Sequence, residues 1–306
     1  ASFAEGRLKI DVPAAEQALQ NHLGETLDLT AQEAAAGISE IVDENMAGAG
    51  RMHAVESGKD LGTRTMIAFG GNGPLHATRV ARRAGVKRII IPKDPGVGSA
   101  VGFLYAPVSF EIVRSRYTTL GTLDTDDLNA FFTTMIQEAE TVVRAGAPDA
   151  DLQRTRSAFM RYHGQGHEIE IPLPDRDLTP EDLATLTAAF EAEYRAQFSR
   201  SVPGMTIEVL NWSVRVASKT TPLRDAARKG AASAPQPARQ TTILCDVTGQ
   251  TREAAIHDRA KLAPGARIPG PSLIIEPQTT TYVSADFTAE IAPDGTLILT
   301  RTEDTR

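Results

Sequence analysis

The run Gly70-Gly71-Asn72-Gly73-Pro74 is the part of the sequence whose composition most directly suggests chemistry. Glycine lacks a Cβ, so main chain there can approach a flat or charged ligand and adopt positive φ. The run follows an apolar stretch, Met66-Ile67-Ala68-Phe69, and precedes a helix-compatible one starting at Leu75. A helix N-terminus offers unpaired N–H groups and the positive end of its dipole, so nucleotide binding is physically reasonable. A tight strand-to-helix turn with no ligand fits the same spacing. A P-loop is excluded, because Gly73 is followed by Pro74 and Leu75 rather than Lys and Ser or Thr. A dinucleotide fingerprint is excluded too, since His76 stands where its third glycine belongs.

Other residue types invite chemistry less strongly. His163 and His167 are spaced like a helical zinc pair. Gly164 and Gly166 disfavour a helix, and in an extended strand the rings would stand ~13 Å apart. No metal ligand set is therefore assigned. Glu168 and Glu170 share one strand face, the arrangement of an acid/base pair, although plain solvent exposure explains them more simply. The polar-aromatic stretch Arg161–Gly166, with Tyr162 and Gln165, is a candidate substrate path or subunit contact. Thr279-Thr280-Thr281 reads as β-branched strand sequence rather than a set of nucleophiles. Cys245 has no His or Lys beside it and reads as a small buried apolar residue. His76 reads as a structural histidine, and Arg79, Arg82, Arg83, Lys87 and Arg88 as a solvated helix face. No catalytic residue is assigned.

The elements that would position these residues follow from periodicity. A short amphipathic helix runs from Asp11 or Pro13 to Leu23, with Gly24 as its stop. Thr30 and Glu33 form a capping-box pair. Behind them Ile38, Ile41, Val42, Met46, Ala49, Met52 and Val55 recur at three- and four-residue steps, so one helical face is apolar. With Gly58 as C-cap this helix is about 25 residues, or ~38 Å, long. Its internal glycines, Gly37, Gly48 and Gly50, predict close packing. Strand 66–69, the glycine turn, helix 75–84, Gly85 and strand 88–92 make a βαβ unit of an open sheet, which binds ligands at strand carboxyl ends. Pro95–Gly102 is a second small-residue turn.

Further on, 124–145 and 179–198 read as helices, and 155–172 and 206–218 as strands. The Ala/Pro/Arg-rich segment 226–240 is the expected linker. Residues 241–306 read as short strands between turns, a small β-rich domain. The chain of 306 residues is 41% hydrophobic and 23% charged, as in ordinary globular proteins. A net charge of −7 argues against nucleic acid as the main partner. No apolar run approaches the ~18 residues of a membrane span. One cysteine permits no intrachain disulfide, which suits a cytoplasmic protein. The chain opens on Ala1, not Met, so a processed or excised polypeptide is expected.

Beyond spacing, the run IAFGGNGPLHATRVARRAGVKRIIIPKDPGVGSAVGFLYA (67–106) resembles the adenosine-side segment of the hydantoinase A/5-oxoprolinase family. The resemblance continues in MRYHGQGHEIEIPLP (160–174), the Trp212 strand and GPSLIIEPQTTTYV (270–283), and so spans nearly the whole chain. It departs at Asn72, where a small alanine is expected. The resemblance implies the downstream part of an actin/sugar-kinase-like ATPase lobe at 1–118. An α+β domain at 119–225 and the β-rich domain would follow. It implies that Gly70, Gly71, Asn72, Gly73 and Pro74 contact the adenosine of ATP. The Asp-Gly-Gly-Thr and Gly-Gly-Thr segments that hold the phosphates and Mg²⁺ in that family do not occur here. The N-terminal ATPase lobe of the same enzyme and a hydantoinase B-type subunit are thus the expected partners. The implied activity is ATP-driven opening of a cyclic amide. Carboxylation of a ketone, or a non-catalytic scaffold that kept the fold, are the other readings.

Overall fold

A computed structural model describes residues 2–3, 8–219 and 233–302. In chain order the elements begin with β1 (Ser2–Phe3), β2 (Leu8–Lys9), α1 (Val12–Leu19), α2 (Glu25–Leu27) and α3 (Ala31–Glu56). Next come β3 (Thr65–Ile67), α4 (Gly73–Ala84), β4 (Arg88–Ile91), α5 (Gly98–Tyr105) and β5 (Ser109–Thr119). Then follow α6 (Thr125–Gly146), β6 (Leu152–Tyr162), β7 (Ile169–Leu173), α7 (Asp182–Phe198) and β8 (Ile207–Ser218). The remainder is strand: β9 (Arg239–Leu244), β10 (Thr251–Asp258), β11 (Arg267–Pro269), β12 (Ser272–Ile275), β13 (Thr280–Val283), β14 (Phe287–Ile291) and β15 (Leu297–Arg301). Among the described residues no helix is long and apolar enough to cross a membrane.

The chain forms a mixed α/β fold with several sheets, divided into two compact units. The first is Ala1–Leu104 together with Leu223–Arg306; the second is Tyr105–Pro222. Two expected boundaries therefore shift. The segment 241–306 is not a domain of its own: β14 and β15 join β3 and β4 in one five-stranded sheet of order β11-β14-β15-β4-β3. The reason is apolar register. Ile91 lies opposite Leu297 and Ile89 opposite Leu299, and all four side chains are fully buried. Each such side chain contributes about 1.5–3 kcal/mol through burial. Likewise 105–118 leaves the first unit, because β5 pairs along its length with β8. Of the expected linker 226–240, residues 226–232 lie outside the described residues, and Arg239 and Gln240 already belong to β9. The ends 220–225 and 303–306 of the two expected domains also fall outside them.

In the first unit, β3 and β4 run parallel across the α4 crossover, as the βαβ pattern predicts. A second sheet, β13-β12-β10-β9, lies on the far side of α4. There Thr78 Oγ1 donates to the Tyr282 carbonyl at 3.2 Å. The Thr30–Glu33 capping box forms as expected, with Glu33 accepting the Thr30 amide at 2.8 Å. That bond holds the Glu33 carboxyl below its usual range. Gly24 does not stop the first helix. The chain continues through a π-turn to Leu27 and ends at Asp28, with φ 55°. Gly24 serves close approach instead, since a Cβ there would stand 2.7 Å from the Leu29 carbonyl oxygen.

The α3 helix is also turned relative to expectation. Ile38, Ile41, Val42, Met46, Met52 and Val55 are exposed, and the buried positions are Ala34, Asp43, Ala47 and Ala54. Small side chains let α3 lie against α4, which a row of Ile and Met would hold off. Of the three internal glycines only Gly50 meets another element, with Leu61 Cδ1 3.7 Å from the site of a Cβ.

The second unit is an antiparallel sheet, β5-β8-β6-β7, with α6 and α7 on one face. Its core gathers Trp212, Tyr162, Phe132 and Phe190, all fully buried. Phe132 meets Trp212 edge-on with ring centroids 5.7 Å apart. A chain stopped after Ser284 lacks β14 and β15. It is expected to lose the calorimetric transition of the first unit while keeping that of the second. Retention of both transitions would contradict the shared sheet.

Candidate functional site

The glycine run occupies the carboxyl end of β3, where alternation and a helix start bring three distant segments together. Ala68 still pairs, donating to the Ile90 carbonyl at 2.9 Å. Gly70 then turns with φ 96°, a conformation that favours glycine, and its amide donates to the Pro95 carbonyl at 2.7 Å. Gly71 accepts a hydrogen bond from Thr279 Oγ1 at 2.7 Å. Asn72 is the N-cap of α4 but its side chain makes no capping bond, so the departure from alanine leaves the helix start intact. Pro74 is buried in the first turn, where a missing N–H costs nothing.

What matters for a ligand is the space outside the loop. A Cβ built on Gly70 or Gly71 would meet nothing within 4 Å. The bare main chain therefore faces open space, backed by the positive end of a 12-residue helix. The rear of the loop is closed. Pro95 is buried, and a Cβ on Gly96 would stand 2.6 Å from Gln278 Cβ, so that glycine is a packing residue. Beneath Gln278, Glu276 and Arg259 form a buried ion pair at 2.8 Å. Arg259 also donates to the carbonyls of Ile91 at 3.2 Å and Gly295 at 2.9 Å. Burial pushes the Glu276 carboxyl up, and Arg259 only partly offsets it. Glu276, Gln278 and Thr279 lie in the family-like stretch 270–283, and Thr279 reads only as strand sequence. That they and Arg259 reach this loop is not legible, because they lie about 200 residues downstream.

The basic stretch on α4 is not the solvated face expected. His76 Nδ1 lies 2.7 Å from Asp43 Oδ1, and Arg79 Nε lies 2.9 Å from Asp43 Oδ2. Asp43 is fully buried, so this carboxylate fastens α4 to α3 and makes His76 structural, as expected. Arg82 pairs with Asp246 at 2.8 Å and Asp286 at 2.6 Å. Burial pulls the Arg82 guanidinium down, but these two carboxylates outweigh it and the net direction is up. Cys245 beside them is buried, as expected. Burial raises its thiol, yet bonds from the Thr248 hydroxyl and the amides of Val247 and Thr248 bring the net direction down. Among the described residues no group of three or more His, Cys, Asp or Glu side chains is placed to hold a metal ion.

Comparison with known proteins gives the family of the chain. A family model described as hydantoinase/oxoprolinase matches residues 1–112, and one described as the hydantoinase/oxoprolinase C-terminal domain matches 125–299. The chain belongs to the hydantoinase/oxoprolinase family. It is 28% identical to 5-oxoprolinase PfmaA of Pestalotiopsis fici, over 89% of this chain and 21% of that protein. It is 24% identical to the acetone carboxylase beta subunit of Xanthobacter autotrophicus, over 93% of this chain and 41% of that one. The crystal structure of ATP-dependent caprolactamase from Pseudomonas jessenii superposes with a TM-score of 0.78 at 24% identity. That likeness covers 99% of this chain and 45% of the other and shows the shared fold. The chain spans less than half the length of the curated relatives it matches.

The remaining family-like stretch, 160–174, lies in the second unit. Tyr162 is fully buried, stacked edge-on with Phe190 and Tyr194, and its hydroxyl accepts the Val202 amide at 3.2 Å. It is core rather than the wall of a path. Gln165 donates to the Tyr194 hydroxyl at 2.9 Å. His163 and His167 have separate partners, Glu208 and the Phe198 ring. Glu168 and Glu170 are likewise separate, accepting from Asn211 at 3.1 Å and Ser157 at 2.7 Å.

Glu208 is a buried carboxylate of this unit with three side-chain partners and had no sequence signal. It accepts from Tyr117 at 2.7 Å and Arg161 at 3.0 Å, and also bonds His163. The Tyr117 hydroxyl, then His163, hold its carboxyl at about 2 against an ordinary 4.5. A depressed carboxylate contributes stability that is present above its unfolded value and lost as pH falls through the folded one. Glu208→Gln should therefore flatten the acid limb of stability between pH about 4.5 and about 2, read by urea melts across that range. In the first unit, Asp43→Ala leaves Arg79 without its buried carboxylate. It is expected to destabilise by about 3–5 kcal/mol, read as a lower urea midpoint.

Proposed function

We propose that this chain is the C-terminal portion or subunit of an ATP-dependent cyclic-amide hydrolase of the hydantoinase/oxoprolinase type. In this reading Gly70, Gly71, Asn72, Gly73 and Pro74 form the adenosine wall of a nucleotide site. The observation that carries it is the open space over Gly70 and Gly71, at a strand carboxyl end braced from behind by Pro95 and Thr279. Braced main chain with no side chain in front of it accepts a flat base and sugar without rearrangement. The parallel β3–β4 pair gives the loop the position ligands take in open α/β sheets. The caprolactamase that shares the fold is ATP-dependent, which supports the choice of nucleotide.

Bound ATP would supply the phosphoryl group that activates the carbonyl carbon of a poorly reactive lactam, so that water can add there and the ring C–N bond can break with release of phosphate and ADP. This chain's share is positioning: it holds the adenosine end, while the N-terminal lobe of the same enzyme grips the phosphates and Mg²⁺. Phosphoryl transfer depends on such positioning and charge stabilisation, so the division leaves this chain inactive by itself. A hydantoinase B-type subunit is the proposed second partner, and that the relatives include the beta subunit of a larger enzyme supports it. The same relative favours a second reading, ATP-dependent carboxylation of a ketone on the same nucleotide site.

Calorimetry with ATP tests the half-site. This chain alone should bind weakly or not at all, and affinity should return with the N-terminal lobe. Submicromolar binding by this chain alone would overturn the reading. Gly71→Val puts its Cβ where nothing lies within 4 Å and is expected to leave the melting temperature unchanged. In the complete enzyme it should weaken ATP binding about tenfold or more, ~1.4 kcal/mol.

A further inference from the structure

The four-stranded sheet of the first unit carries a polar cavity that shares no lining residue with the Gly70–Pro74 loop. Side chains alternate across a strand, so Glu253, Ala255 and His257 of β10 point to one side. Gln240 on β9 and Ser272 on β12 both stand opposite Ala255, which brings their side chains to that same side. Together with Ile268 of β11 these residues line a cavity of about 510 Å³. Ala255 supplies only a methyl group at its floor and so leaves room over the middle strand.

A further wall is the segment 234–237, in which Pro235 and Pro237 have no N–H to satisfy. It is tied at both ends. The Ser233 carbonyl accepts the Arg267 amide at 2.9 Å, and the Ala238 amide donates to the Ile256 carbonyl at 2.8 Å. Walls fixed in this way need little ordering when a ligand enters.

His257 is the group that calls for a partner. Its residue is only 5% exposed, and its Nδ1 is a buried nitrogen without a hydrogen-bond partner. Such atoms are rare in folded proteins, because they give up a hydrogen bond to water and gain none. Burial pushes the imidazole below its usual range, so at neutral pH the ring is uncharged, with one donor and one acceptor. The rest of the lining narrows the chemistry. Glu253 and Arg267 are one charge of each sign, and Arg267 already pairs with Glu290 at 3.5 Å. A phosphate or nucleotide would find no spare cation among them. Gln236 and Gln240 offer primary amides, and Ser272 Oγ, which donates to the Pro269 carbonyl at 2.7 Å, keeps acceptor capacity. An uncharged imidazole and two amides among proline and aliphatic walls match a ligand with N–H and C=O on a small apolar frame.

We infer that this cavity binds a small uncharged amide, whose N–H and C=O bond the His257 ring and the Gln236 and Gln240 side chains. The inference is independent of the nucleotide reading and stands or falls without it.

Titration of this chain with 2-pyrrolidinone, followed by the imidazole C–H signals in carbon-edited NMR, tests it. The His257 signals should move and saturate at millimolar concentrations. The thermal midpoint should rise with the same dependence, as it does for any ligand that binds only the folded form. His257→Phe keeps a ring and removes both nitrogens. It should hold or raise the melting temperature of the ligand-free chain and weaken the amide's effect about tenfold or more. Ala255→Leu, which fills the floor without touching a polar group, should also abolish binding. Absence of a saturable shift at His257 up to about 100 mM amide, well above a millimolar Kd, overturns the inference. So does an equal thermal response in His257→Phe, or a response to glycine or inorganic phosphate as strong as that to the amide. None of these readouts involves ATP, so failure here leaves the calorimetric test of the Gly70–Pro74 loop unaffected.

Discussion

The pairing of β4 with β15 is the contact on which the first unit depends. It brings the end of the chain, some 200 residues later, against the strand that follows the candidate loop's helix. Without it Ile89 and Ile91 would face water, and Arg259 could not reach the carbonyls of Ile91 and Gly295 together. The same excursion delivers Gln278 and Thr279 to the back of the loop. One run of apolar register thus sets both the sheet and the posture of the glycines. An isolated strand–turn–helix would have left Gly71 free to move.

Charge completes what apolar burial begins. Helix α4 carries its cations inward, with Arg79 and His76 on Asp43 of α3 and Arg82 on Asp246 and Asp286. Buried ion pairs contribute little net stability against hydrophobic replacements, but losing one partner is costly, so they favour a single arrangement. Here they fix the direction of the helix whose N-terminus backs the Gly70–Pro74 loop. The loop's geometry is consequently held from three sides: by strand pairing, by the Thr279 hydroxyl and by the far end of its own helix.

Local signals in the sequence were read correctly where the cause was local. The capping box at Thr30, the parallel βαβ unit and the burial of Cys245 were all legible from residues a few positions apart. Non-local causes were not legible. Nothing near 290–300 announces that its leucines complete a sheet begun at residue 65, and a tail of short strands reads equally well as a separate domain. The arginines of α4 looked solvated because their carboxylates come from positions 43, 246 and 286. Glu208 drew no notice because Tyr117, Arg161 and His163 converge on it only across the pleat of three strands.

The α3 helix shows why periodicity misled. A hydrophobic repeat identifies which face of a helix is apolar, but it does not say that this polypeptide covers it. In α3 the close contact with α4 uses the alanine face and one buried aspartate, while the Ile38–Val55 stripe remains exposed. Small residues and a paired charge suit a tight, directional helix contact, and large aliphatic side chains suit a broad one. The stripe and the exposed side chains of Ile67 and Phe69 are thus the same kind of observation on two segments. Each is apolar surface beyond what scattered exposed residues on a folded domain require. Both surfaces lie on the first unit, in a chain that spans less than half the length of the curated relatives it matches.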